Sequence, residues 1–220
     1  MKIRLFYTEI PFWRAEVSRL ALYIGNIDFE DVRMSWREDF DTMIETGKLP
    51  YGVTSPFRQI PVMEVDGQVV GQTGGIARFC GKLSGLYPKN DDILAARIDQ
   101  ILDAATDITN LVGITMREKE PGKKKLARQK LSEETLPKWF GYLENLLKEN
   151  KSSEWFAGDK MSVADLAIWR LLGWIISGKL EHVPTTLLDT FPCLTKLHTN
   201  VDSHPKVHEW MSLKYRNKHL

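Results

Sequence analysis

The chain has 220 residues, 43% of them hydrophobic and 27% charged, enough for one large or two small cores. Lys and Arg number 30 against 29 Asp and Glu, for a formal net charge of +1. The overall field therefore favours neither nucleic acid nor an anionic membrane as a partner. Cys80 and Cys193 lie far apart in apolar surroundings, which excludes a disulfide framework and any clustered cysteine metal spacing. No apolar run approaches the roughly 20 residues needed to span a bilayer, and Met1-Lys2-Ile3-Arg4-Leu5 opens into a strand with no signal-peptide core. A soluble, reducing, cytoplasmic setting is expected. Asn150-Lys151-Ser152 fits a glycosylation sequon but carries no weight in that setting.

Ile3, Leu5 and Tyr7 alternate and predict a first strand. After a loop containing Pro11, Val17, Leu20, Ala21 and Ile24 fall at helical spacing, so a helix is predicted over 14–24 and stopped by Gly25-Asn26. Residues 28–34 alternate again as a second strand. Residues 36–46 form a charged, helix-compatible excursion ending at Gly47, and 48–56 hold two prolines and a glycine, hence an extended loop. Pro56-Phe57-Arg58-Gln59-Ile60-Pro61 then leads into Val62-Met63-Glu64-Val65, the Asp66-Gly67 turn and a further short strand. Asp-Gly between apolar runs is a strong hairpin signal. Pro61 cannot donate to a strand ladder, belongs at the strand start and is a candidate for a cis bond. Gln72-Thr73 precede Ile76, Ala77 and Phe79, so Thr73 reads as the cap of a helix whose free amides could hold an anion.

Residues 85–92 change character to glycine, Tyr87-Pro88 and Lys-Asn-Asp-Asp and read as a linker. Beyond it strand alternation disappears. Ile98, Ile101, Leu102, Ala105 and Ile108 mark one side of a long helix, a basic helix follows, and 135–150 is a third. The Lys123–Lys125 cluster is interleaved with acids and reads as solvated helix ends, with no nucleic acid as partner. Ser162-Val163-Ala164-Asp165 resembles a capping box ahead of a helix apolar nearly all round, which should be the buried centre. Two short helices close the chain. The fold class is thus an α/β domain over 1–84, a linker over 85–92 and an all-helical domain over 93–220. His204 and His208 have helical spacing but no third ligand near them, so no metal is expected.

These residues resemble the cytosolic glutathione transferases over the full length. Residues 56–67 are similar to that family's "PFGQLPVLEVDG", and Gln72-Thr73 with Ile76-Ala77-Arg78-Phe79 is similar to its "QSxAIARYL". Arg14-Ala15-Glu16 and Trp36 look most like the tyrosine-dependent sigma class. The resemblance implies a thioredoxin-like first domain and a helical-bundle second domain. It also implies glutathione as co-substrate with no other cofactor, a homodimer, and thiolate addition to small hydrophobic electrophiles in detoxification.

By the same resemblance, Ile60 before cis-Pro61 would pair with the cysteinyl backbone of glutathione. Gln72 and Thr73 would hold its γ-glutamyl carboxylate, and Trp36 and Gln59 its glycyl end. Asp103 would reach the γ-glutamyl amine across the dimer; read from the residues alone, it is a solvated helix-face acid. Tyr7 is the expected thiol activator, since a hydroxyl donor aimed at sulfur favours the thiolate. Thr8 is the alternative, because the loop from Tyr7 to Arg19 is one residue longer than the family pattern. Phe12, Trp13, Val112 and Met116 are candidate walls of the electrophile pocket, although an apolar wall is equally a core pattern. The alternatives to a transferase are a glutathione-dependent isomerase or peroxidase and a non-catalytic ligand-binding or structural relative.

Overall fold

The computed structural model describes residues 1–150 and 154–215; Lys151 and Ser152 of the sequon lie outside the described residues. Four strands form one sheet in the order β2-β1-β3-β4: β1 (Ile3–Thr8), β2 (Glu30–Met34), β3 (Val62–Val65) and β4 (Gln68–Gly71). β1 and β2 are parallel, which requires a crossover, and α1 (Trp13–Ile24) supplies it. β2 starts two residues later than alternation suggested, because Asp28 and Phe29 precede the register that opens at Arg4↔Glu30. β3 pairs antiparallel with both β1 and β4. Asp66 (φ 48°) and Gly67 (φ 84°) both take left-handed backbone, as a two-residue hairpin turn demands. The Ile60–Pro61 bond is cis.

The excursion after β2 narrows to α2 (Asp39–Thr46). Ser35 Oγ accepts from the Glu38 and Asp39 amides at 3.2 Å each, so the helix start is held three residues later than 36. Gly47 ends it at φ 76°. α3 (Thr73–Ser84) follows the hairpin. The helical part comprises α4 (Asp92–Arg117), α5 (Pro121–Lys130), α6 (Leu136–Glu149), α7 (Val163–Ile175), α8 (Pro192–Asp202) and α9 (Pro205–Tyr215). α5 and α6 are joined by one π-helical turn, Leu131–Thr135. Pro137, near the start of α6, has no amide to give to a regular turn.

α7 is buried along 11 of its residues, as its all-round apolarity implied. Its capping box is closed by Ser162 and Asp165. The Asp165 carboxylate also accepts from the Phe156 amide at 2.9 Å. Two apolar clusters result. The larger joins Ile3, Leu5 and Met63 to α1, α3, α4 and α7; the smaller packs Phe6, Val62 and Met34 against Met43 of α2. Each face of the sheet is therefore covered, and the strand ends are left to build the site. No described helix is long and apolar enough to cross a membrane.

Candidate functional site

A cleft of about 500 Å³ opens where four elements end. β1 delivers Tyr7, the chain just ahead of β3 delivers Gln59, Ile60 and Pro61, and the start of α3 delivers Gln72 and Thr73. Arg14 of α1 and Thr106 and Asn110 of α4 complete the lining. Trp36, Phe40 and Ile44 line the rim beside β2 and α2; Trp36 and Phe40 pack with ring centroids 4.9 Å apart.

The backbone ahead of β3 is held open by a reciprocal pair. Ser55 Oγ donates to the Gln59 carbonyl at 2.9 Å and accepts from the Gln59 amide at 3.1 Å. Ile60 is thereby turned to the cleft, and among the described residues its own amide and carbonyl have no backbone partner. Arg58 (φ 48°) fastens the same segment to α2 through the Ile44 and Glu45 carbonyls, each 3.2 Å away. Phe57 lies against Gly71, where a Cβ would come within 3.0 Å of its ring.

At the start of α3, Gln72 sits at φ 71° and its side chain caps nothing, so the first amides of the helix face the cleft without a side-chain acceptor. Thr73 Oγ1 is buried with no hydrogen-bond partner among the described residues. A helix start with free amides and a spare hydroxyl suits a carboxylate.

Tyr7 is 5% exposed. Burial pushes its hydroxyl up to about 12, against the pull of Arg14 and Arg19. At neutral pH it is an un-ionised donor. The Arg19 guanidinium lies 5.8 Å from its ring centroid, and that of Arg14 lies 5.3 Å from the Trp13 ring centroid. Burial lowers the Arg14 pKa while Tyr7 opposes the shift. A hydroxyl donor and a cation thus share one wall of a pocket that can seat an anion.

The family description "Glutathione S-transferase, C-terminal domain" matches residues 106–214. Human glutathione S-transferase A2 is 26% identical over 210 residues, covering 96% of this chain and 88% of that protein. Among solved structures, prostaglandin synthase D of Nilaparvata lugens superposes with a TM-score of 0.79 at 27% identity, covering 96% of this chain and 98% of that one. Monomeric Na-GST-3, a glutathione S-transferase from the hookworm Necator americanus, does so at 0.77 and 27%, covering 99% and 100%. The chain is thus similar to glutathione S-transferases over nearly its whole length, and its second half matches that family's C-terminal domain.

In this glutathione S-transferase fold, seven of the residues picked from sequence meet in the cleft: Tyr7, Trp36, Gln59, Ile60, Pro61, Gln72 and Thr73. Thr8 does not; it is fully buried on the other side of β1, its Oγ1 without a partner among the described residues. Trp13 and Val112 are fully buried in the larger core cluster, so they hold α1 against α4 rather than line the cleft. Phe12 packs edge-on to Trp174 at 5.0 Å, and Met116 is 54% exposed near the far end of α4. Asp103 is exposed on α4 and outside the cleft. Sequence reading missed the other lining residues, among them Phe40, Arg14, Thr106 and Asn110. The last two had a usable signal, since 103, 106 and 110 share one face of a helix at spacings of three and four.

Proposed function

We propose that the protein conjugates glutathione to small electrophiles, with Tyr7 as the donor that stabilises the thiolate. The observation that carries this reading is the buried, un-ionised Tyr7 hydroxyl in the same cleft as an unpartnered carboxylate seat at Gln72-Thr73. Glutathione would lie extended, its cysteinyl backbone on Ile60 and its γ-glutamyl carboxylate on Thr73 and the α3 amides. Its glycyl end would rest by Gln59 and Trp36. The sulfur then falls between Tyr7 and Arg14. A hydroxyl donor and a cation both favour the anion over a thiol whose ordinary value is about 8.5. The chemistry is one step: the thiolate forms a C–S bond to the electrophile, the electron pair leaves with a displaced group or passes to an adjoining acceptor, and no covalent enzyme intermediate is needed.

The acceptor side beside Tyr7 is bounded by Arg14, Thr106 and Asn110, with Trp13 and Val112 committed to the core. This supports small electrophiles bearing a polar group over large apolar ones. Assignment to the sigma class rests on Arg14-Ala15-Glu16 and Trp36. A homodimer fits Asp103, whose exposure outside its own cleft leaves it free to reach a neighbour. A cytoplasmic setting is supported by the two free thiols, Cys80 and Cys193.

The test is the ultraviolet absorbance of bound thiolate across pH, for wild type, Tyr7→Phe and Thr8→Val, alongside conjugation to an aryl halide. Wild type should ionise bound thiol below about 8.5, and Tyr7→Phe should reverse this and lower kcat roughly 10²-fold. Glutathione binding with no thiolate and no turnover would instead mean a ligand carrier. A second reading, glutathione-dependent isomerisation, is favoured by the likeness to a prostaglandin synthase. Turnover of a cyclic peroxide without net loss of glutathione distinguishes it.

A further inference from the structure

The segment over residues 8–12, from the last residue of β1 through the loop to α1, separates the two groups that would flank the sulfur, Tyr7 and Arg14. Two buried guanidiniums hold it from behind. Arg19 donates from Nη2 to the Thr8 carbonyl at 3.0 Å, and Arg170 donates from Nε to the Pro11 carbonyl at 2.6 Å. Arg170 belongs to α7, 159 residues further along the chain, and is 5% exposed. One turn on, Trp174 of the same helix face packs edge-on against Phe12. α7 therefore grips two consecutive loop residues, one by a charge-assisted hydrogen bond and one by an aromatic contact.

The absence of a side chain at one position makes room for the grip. Residue 173 lies between these two on that face and is glycine; a Cβ there would stand 2.9 Å from Arg170 Nη1 and 3.4 Å from His198 Nε2. The charge is balanced from two directions, by Glu16 of α1 and Asp202 of α8. Glu16 is itself held by Trp210 and Tyr215. A desolvated arginine with its counter-charges fixed in place has little freedom to let go.

We propose that Arg170 is a positioning residue for the thiolate chemistry: by holding Pro11 it fixes the span between Tyr7 and Arg14. This rests on the transferase reading. A displacement of about 1 Å at a reacting centre can cost on the order of 10²-fold in rate, and a loop pinned at both ends prevents it. Lysine carries the charge but cannot reproduce the Nε–H direction.

The test uses the full chain with Arg170→Met, Arg170→Lys and Gly173→Ala. The last keeps the arginine but crowds its Nη1 so that the guanidinium must shift, and it serves if Arg170→Met fails to fold. Three readouts are taken: amide hydrogen exchange at Thr8–Phe12, the ionisation midpoint of bound glutathione, and kcat and KM for glutathione. In all three variants the loop amides should exchange about tenfold faster. The thiol midpoint should rise by roughly half a pH unit or more and kcat fall about tenfold, with KM changed less than about twofold. Unchanged loop exchange overturns the proposal. So does a lowered Tm with thiol midpoint and kcat intact, which is what a merely structural arginine gives, and so does full activity in Arg170→Lys. A wild type that never ionises bound glutathione defeats the transferase reading instead, and the exchange measurement still decides whether Arg170 holds the loop.

Discussion

The Trp13 indole nitrogen donates to Thr109 Oγ1 at 2.8 Å, tying the first turn of α1 to the middle of α4. Thr109 Oγ1 in turn donates to the Ala105 carbonyl at 2.7 Å, so the pair is satisfied within a partly buried contact between the two halves of the chain. Trp13→Phe removes the donor and should cost about 1–2 kcal/mol; Trp13→Ala also opens a cavity and should cost about 3–5 kcal/mol. Urea denaturation checks both. Because Trp13 lies in the core, Trp13→Phe should leave KM for the electrophile within about twofold, and a larger rise would return it to the pocket wall.

Thr8 and Tyr7 make opposite predictions although they are neighbours. Thr8 Oγ1 is buried and without a partner among the described residues, and a desolvated hydroxyl without a hydrogen bond destabilises its fold. Thr8→Val keeps the branched shape a strand accommodates, and should raise stability by about 1 kcal/mol with turnover unchanged. Loss of thiolate in this variant would make Thr8 the activating residue.

This pair shows what the sequence made legible. Alternation along Ile3, Leu5 and Tyr7 put the tyrosine on one face and the threonine on the other, and the resemblance at 56–67 and 72–79 gathered half of the cleft. Alternation says nothing about depth, however. Phe12, Trp13, Val112 and Met116 have the same apolar character whether they line a pocket, pack a core or face water, and three-dimensional contacts separate those cases. Arg170 was invisible for a related reason. An arginine inside an apolar helix is informative only once its partner, Pro11, is known to be adjacent.

Thr73 carries the same buried, unpartnered hydroxyl as Thr8, but its surroundings reverse the outcome. It opens α3 beside free amides and lines the cleft, so its partner would be the ligand. Thr73→Val should leave the unliganded protein as stable or more stable. It should weaken glutathione binding by roughly tenfold, the worth of a hydrogen bond to a charged group, while Thr73→Ser retains most of the affinity. Calorimetric titration against thermal unfolding separates the two effects. Equal affinity in wild type and Thr73→Val would remove the carboxylate from this position.

Glu144 supplies a pH-dependent prediction. α8 begins Phe191-Pro192, and no residue of its own caps it by side chain. The buried Glu144 of α6 does so, accepting from the Cys193 and Leu194 amides at 3.1 and 3.0 Å, with Lys148 Nζ 3.3 Å away. Burial alone would raise its pKa, but the two amides and the lysine outweigh it and hold the carboxylate below its ordinary value. A depressed acid pKa contributes stability that is fully present above the unfolded value, about 4.3, and is lost as pH falls through the folded one. Glu144→Gln should therefore cost about 1.5–3 kcal/mol at pH 7, and the gap to wild type should narrow as the solution is acidified below about pH 4.3. Urea denaturation of both proteins across that range is the measurement. A gap that stays constant or widens on acidification would mean the α8 amides do not depend on the Glu144 charge.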